Sequence, residues 1–417
     1  MAGTPVTAAQ LVATIKRFYS NARMEQVIFG NRHRWLLNNF KDRKTGGEHD
    51  PNVVWFEDSQ GISADFATAQ ANANQPQVEQ FQVTPPAAGL HNVFQLDTDL
   101  MLRSMDDSSA FIKQQTYRFA QTIRGLSNFV EKTLLGDGYG SLGTVANSTL
   151  TTTEMTLNNT DDARLFEVGM KLVFAASKTA ALRDSGATLT VTKVSFATGV
   201  VTLSANLSTI SGLAQNDHVF REGTAYNNAS FKLPLGLSAW LPASDPGSGD
   251  SFYGVDRSDH PTRLAGIRTT GAKSDIYAAV NDAASLALDY GHADGEMVAL
   301  TSNRNIGRLA AQANVSARTV PGRRGAQGFQ SVPIWTPAGE INTFGSPWVG
   351  SQDDTLYLLD TSTWELIYLG AKPVYVWDLD GSMVQRLPGS SGIEIRAESR
   401  PAIKCSNPGR NVRVTLS

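Results

Sequence analysis

The chain has 417 residues, 41% of them hydrophobic, and its 36 Lys and Arg against 39 Asp and Glu leave a net charge of −3. With its glycines added, about half the chain is apolar, which excludes a disordered or collagen-like polymer, and the near-neutral balance argues against a strongly basic nucleic-acid binder. The single cysteine, Cys405, excludes an internal disulfide and a Cys-rich zinc centre. Met1 to Leu11 lacks the pattern of a signal peptide, and no uncharged apolar run is long enough to span a bilayer. The expectation is a protein made in a cytosol, with no membrane partner. Asn-x-Ser/Thr triplets at Asn147, Asn158, Asn206, Asn228 and Asn314 then meet no glycosylation machinery.

In chain order, Thr7-x-x-Gln10 is a capping box that starts a short helix with Leu11, Ile15, Phe18 and Ala22 on one face. Asn31 to Lys44 is basic and polar around Trp35 and Phe40, and reads as an arm. A long excursion follows, with Val53-Val54-Trp55-Phe56 and then a small, Gln- and Asn-rich stretch from Ala67 to Gln77 that reads as a loop tip. Loops of this length in compact domains are usually functional. Leu90, Phe94, Leu96, Leu100 and Leu102 fall at even positions between polar residues, which predicts a strand with one wet face.

The spacing of Ile112, Phe119, Ile123, Leu126, Val130 and Leu134 predicts one helix from Ser108 to Leu135, stopped at Gly136. At 1.5 Å per residue it spans roughly 40 Å. Thr149 to Gly223 is Thr-rich and β-branched, with a hairpin signal at Ala197-Thr198-Gly199, and reads as a small antiparallel barrel inserted in a larger domain. An amphipathic helix is expected over Lys273–Tyr290, with Tyr290 on its apolar side, and a weaker one over Ser302–Ala313. Val315 to Gly328, with Arg318, Arg323 and Arg324, reads as an exposed basic loop. Strands return over Leu356–Trp377. The chain closes on an expected hairpin, Ile393–Glu398 against Val412–Leu416 across Asn407-Pro408-Gly409.

The catalytic templates fail. Gly138-Tyr139-Gly140-Ser141-Leu142-Gly143 matches the dinucleotide fingerprint in letters, but it follows a helix and precedes strands, the reverse of what pyrophosphate binding needs. His33, His49, His91, His218, His260 and His292 form no local metal-binding pair. Asp245…Asp250 and Asp378-x-Asp380 lack the further oxygen ligands of a calcium loop and read as turns. Asp106-Asp107 suits the positive end of the long helix. No catalytic, cofactor-binding or metal site is assigned, and no cofactor is expected.

The order of these parts resembles the tailed-bacteriophage major capsid proteins of the HK97-like fold, an α+β architecture. The resemblance implies an N-terminal arm (1–44), an extended E-loop (45–86), a peripheral domain with its spine helix (87–148), an inserted β-barrel domain (149–223), a connecting β segment (224–270), an axial domain (271–375) and closing strands of the peripheral domain (376–417). It implies a non-enzymatic protein that assembles through pentamers and hexamers into an icosahedral virion capsid around double-stranded DNA, in the cytoplasm of a bacterial host. Its partners would be further copies of itself, with scaffold, portal and decoration proteins and weak non-specific contact to the packaged DNA. Phe18, Trp55, Phe66 and Phe81 are the candidate intersubunit anchors, since aromatics dominate interfaces, with burial in their own subunit's core as the alternative, and Arg318, Arg323 and Arg324 form either a solvated intersubunit loop or a loop that binds phosphate or nucleic acid. Some members of the family join subunits by a Lys–Asn isopeptide bond, yet Thr45 to Leu102 holds no lysine, so none is expected by that route. Rival readings are an encapsulin-type nanocompartment shell, a phage tube or decoration protein, and a β-rich carbohydrate-active hydrolase using two acids.

Overall fold

The computed structural model describes residues 34–47, 49–57, 61–73, 78–85, 89–96, 108–226, 231–291, 293, 295–315, 332–349, 354–370, 374–376, 385–386 and 393–417. The capping box at Thr7, Phe18, Asp106-Asp107, the arginines 318, 323 and 324, and the Asp378 turn lie outside these residues. Those described are a mixture of helices and strands, an α+β chain. They fall into two compact units, one drawn from Met1–Thr45, Pro85–Lys132 and Leu366–Pro401, the other from Gly46–Thr84, Thr133–Glu365 and Ala402–Ser417.

In the first unit, Ile393–Ser399 is the central strand of a small antiparallel sheet. Leu90–Leu96 pairs with it along its whole length, while Tyr375–Val376 and Gln385–Arg386 pair with its two ends. The alternation that announced the strand holds over Leu90–Leu96, where Leu90 is buried and His91, Val93 and Gln95 are exposed; Leu100 and Leu102 lie outside the described residues. The long helix runs over Ser108–Leu135, and Ile123, Leu126, Val130 and Leu134 form its buried stripe. Trp35 and Phe40, read as part of an arm, are instead buried around the short helix Trp35–Asn39, their rings edge-on at 5.8 Å. Two apolar residues between them, Leu36 and Leu37, give that stretch enough greasy surface to dock.

The second unit holds two six-stranded sheets. One is mixed, in the order Ile267–Gly271, Val412–Leu416, Thr355–Asp360, Met297–Thr301, Gly339–Gly345, Val332–Thr336. Helix Ile276–Asp289 packs on it through Ile276, Val280, Ala283, Ala284 and Ala287, with Asp275 accepting the Ala278 N–H at 3.0 Å as N-cap. Helix Asn303–Val315 adds Leu309 to the same core. The expected closing hairpin is not formed. Val412–Leu416 pairs in parallel with Ile267–Gly271 and antiparallel with Thr355–Asp360, whereas Ile393–Ser399 belongs to the sheet of the other unit. Pro401–Cys405 and the helical turn Pro408–Arg410 lie between the two strands, more chain than a tight turn needs.

The other sheet is antiparallel, in the order Ser141–Thr144, His218–Arg221, Lys171–Ala175, Leu189–Ser195, Val200–Leu203, Glu154–Thr156. Met155, Leu157, Phe166, Leu172, Phe174, Val191, Val201 and Val219 form its core. The hairpin signal is right: Val194 faces Val201, and Gly199 takes φ +68° where a Cβ would stand 2.5 Å from Thr160 Cα. The closed barrel expected here is not. The two edge strands meet at one bridge, Val145 to Leu157, and beyond it the Asn147 side chain takes over the edge, accepting the Thr156 N–H at 2.6 Å and donating to the Glu154 carbonyl at 2.9 Å. A side chain occupies the place where a main-chain ladder would have to continue.

Candidate assembly surface

The excursion after Thr45 is built around a two-stranded ribbon. Asp50–Trp55 and Val78–Val83 pair antiparallel, from Asp50 opposite Val83 to Trp55 opposite Val78. Period-two geometry gives the ribbon two faces. Asn52, Val54, Phe81 and Val83 are buried on one, and Val53, Trp55 and Val78 are exposed on the other. An isolated two-stranded ribbon is marginal in water, so its buried face must be held.

That anchoring is dense. The Phe81 ring lies 5.3 Å from Trp240 and 6.1 Å from Phe252, and Trp240 packs edge-on to Phe252 at 4.9 Å. Asn52 Nδ2 donates to the Cys405 carbonyl, the Gln82 N–H to the Tyr253 carbonyl at 3.0 Å, and Lys404 Nζ to the Pro51 carbonyl at 3.0 Å. Lys404 also lies 3.5 Å from Asp50. The Phe56 ring stacks 4.6 Å from His260, whose Nδ1 is 3.2 Å from Glu57, while Arg263 donates to the Phe56 carbonyl. Cys405 is fully buried, and burial pushes its thiol up to about 12, so this cysteine is a packing residue and no nucleophile.

The far end is different. Helix Phe66–Ala71 occupies the start of the stretch read as a loop tip and has no buried residue. It is held by its own cap: Asp65 accepts from the Thr68 N–H at 3.0 Å and the Thr68 hydroxyl at 2.7 Å, bonds that hold the Asp65 carboxyl below the usual range. Ile62 and Phe66 are 82% and 81% exposed, and Trp55 is 68% exposed. Beside Trp55 opens a cleft of about 330 Å³ lined by Phe56, Glu57, Arg263, Tyr290 and Asn407. Large exposed apolar groups gathered on one element mark interaction surfaces.

The expected anchor residues thus separate. Trp55 on the ribbon and Phe66 on the tip helix stand in solvent, whereas Phe81 is buried inside its own chain. Four exposed aromatics among the described residues escaped the sequence reading, Phe196, Tyr277, Tyr290 and Trp335. Trp335 follows the buried Ile334 on a strand, so alternation turns it outward, and Tyr277 follows the buried Ile276 on a helix, a step of 100° off the core face. Tyr290, expected on the apolar side of its helix, is its C-cap residue and is 60% exposed.

Among the described residues, groups weighed for catalysis have structural partners; His33 and His292 lie outside them. Asp245 pairs with Arg268 and Asp250 with Arg257, the latter at 2.7 Å, so both carboxylates of the turn serve arginines. His49 Nδ1 is 2.8 Å from Thr84 Oγ1 and His218 Nδ1 is 2.9 Å from Ser141 Oγ. In the glycine run, Gly138 and Gly140 take φ +84° and +82°, and a Cβ on Gly140 would meet the Thr224 carbonyl at 2.7 Å, so the glycines serve the exit from the long helix. Among the described residues, no helix is long and apolar enough to cross a membrane.

No family model and no curated protein matches the chain. Among solved structures, it is similar to the capsid asymmetric unit of cyanophage A-1(L), at 11% identity over 91% of this chain and 90% of that one, with a TM-score of 0.48. It is similar to the capsid of cyanophage P-SCSP1u, at 10% identity over 91% and 86%, with a TM-score of 0.39. The holo-SrpI encapsulin complex of Synechococcus elongatus PCC 7942 is a third, at 7% identity over 92% and 86%, with a TM-score of 0.40. The chain is similar, along 91% of its length, to capsid proteins of phages.

Proposed function

We propose that the chain is a major capsid protein of a tailed phage, a structural protein that assembles through pentamers and hexamers into an icosahedral shell around double-stranded DNA. The observation that carries this reading is the ribbon: one face anchored by Phe81, the other exposing Val53, Trp55 and Val78, and a tip that buries nothing. A lone molecule leaves that apolar surface wet, and an identical neighbour can cover it. Contacts of this head-to-tail kind close into rings, and many modest contacts repeated by symmetry make a shell hard to dismantle. Residues 1–44 would act as the arm, with 34–40 its docked part, 45–86 as the E-loop, 108–135 as the spine helix and 271–375 as the axial domain, with the antiparallel sheet of 149–223, which the strand Ser141–Thr144 joins from outside those bounds, as the insertion. Arg318, Arg323 and Arg324 would belong to a loop between subunits.

The test is microscopy of the expressed protein in negative stain, alone and with its neighbouring gene products. Closed polyhedral particles that protect DNA from nuclease are the expected result. Particles that copurify an enzyme cargo and no DNA would replace this reading with a nanocompartment, and rods with a tube protein. A persistent monomer under both conditions would end it.

A further inference from the structure

The cleft beside Trp55 has walls that are exposed and yet fixed. The Trp55 indole, 68% exposed, donates its Nε1–H to the Glu57 carbonyl, and Tyr290, 60% exposed, caps the end of helix Ile276–Asp289. Gly291 and Gly409 line the cleft as bare backbone, and a Cβ on Gly291 would collide with the Gly409 carbonyl. Of the two charged residues in the lining, Glu57 lies 3.2 Å from His260 Nδ1, and Arg263 is exposed. The cleft thus offers ordered apolar rings and a cation, and walls that are already ordered lower the cost of binding. Its volume of about 330 Å³ is roughly twice the ~150 Å³ that holds a benzene ring, so it has room for a phenyl group and a branched side chain together.

The tip carries the matching groups. Ile62 and Phe66 are its large apolar side chains, mostly in solvent, and no residue of helix Phe66–Ala71 is buried. Asp65 is the one charged residue from 61 to 73, and its bonds from Thr68 favour the anion. We infer that the cleft receives the tip of a second copy of this chain, Phe66 and Ile62 entering between Trp55 and Tyr290 with Asp65 beside Arg263. This rests on the assembly reading above and names the contact it would use. Tip and cleft are different patches, so the contact is head-to-tail and passes from copy to copy until a ring closes. It is also small: an aromatic side chain buries about 150–250 Å², against about 800 Å² per partner in a stable interface. Two free molecules therefore stay apart, and the contact takes hold where others already make it intramolecular.

Two full-length variants test it, Ala67→Cys on the tip and Asn407→Cys in the cleft lining, which leave every anchor in place. Cys405 is fully buried, so the introduced thiols are the ones a short bis-maleimide reaches. Particles co-assembled from the two variants should give a covalent dimer at twice the monomer mass, and particles of either variant alone should give almost none. In parallel, Tyr290→Ala, which alters a side chain already in solvent, should keep the unfolding midpoint and slow particle formation by about tenfold or more, as loss of an interface anchor does. Particles that form without the mixed dimer would overturn the inference and leave the capsid reading standing. So would an equal dimer from Ala67→Cys alone, which sets tip against tip. If the cysteine variants do not assemble, Tyr290→Ala decides, and assembly at the native rate would sink the inference. A native chain that forms no particles ends both readings.

Discussion

Two aromatic residues on one ribbon do opposite work. Phe81 and Trp55 lie on facing strands, and the pleat sends Phe81 onto Trp240 and Phe252 while it sends Trp55 into solvent. Phe81→Ala opens a cavity that the surrounding rings cannot fill, and should lower unfolding stability by about 3–5 kcal/mol. Trp55→Ala removes a ring with little left to lose, and should stay within about 0.5 kcal/mol of the native protein. Urea denaturation of the unassembled chain would measure both, and equal losses would show that the exposed face is covered within the chain. The sequence places both residues among the candidate anchors. Spacing gives which residues share a face, but whether a face turns inward depends on Trp240 and Phe252, some 160 positions away in the chain and invisible to a local pattern.

At the scale of the element, the tip helix Phe66–Ala71 contributes nothing to a core, since none of its residues is buried. Its stability comes from the Asp65 cap, which satisfies the Thr68 N–H. Replacing Ile62 and Phe66 together by serine leaves the cap and the ribbon intact, so the unfolding midpoint should not move. Particle formation, followed by light scattering, should be lost or slowed. A double variant that assembles at the native rate would remove the tip from the assembly surface. Elements with a strong local period were legible. The long helix has the ends its stripe and Gly136 dictate, and the Gly199 hairpin turns where its glycine allows. Partners were not legible. Val412–Leu416 has the alternation of a hairpin strand, but its mates Ile267–Gly271 and Thr355–Asp360 are fixed by burial of Val412, Val414 and Leu416 under helix Ile276–Asp289. The barrel failed for a similar reason, because the Asn147 side chain can end a ladder without disturbing the β-rich composition.

At the scale of the whole molecule, the question is what would hold many copies together. A shell needs either covalent bonds between subunits or enough weak contacts made at once, and the second is sufficient because each closed ring turns further contacts into intramolecular events. A lysine-borne crosslink from this excursion would need an ε-amine on it, and the chain from Thr45 to Leu102 supplies none. One described amine at the ribbon's base, Lys404, is already engaged with Asp50 and the Pro51 carbonyl. Assembled particles boiled in detergent should therefore run as a single band at the monomer position. The same particles should come apart in denaturant over a narrow range, since loss of one contact weakens its neighbours. A ladder of bands at multiples of the monomer mass would show a crosslink formed by other residues. It would also move the source of shell strength away from the exposed ribbon face and into covalent chemistry.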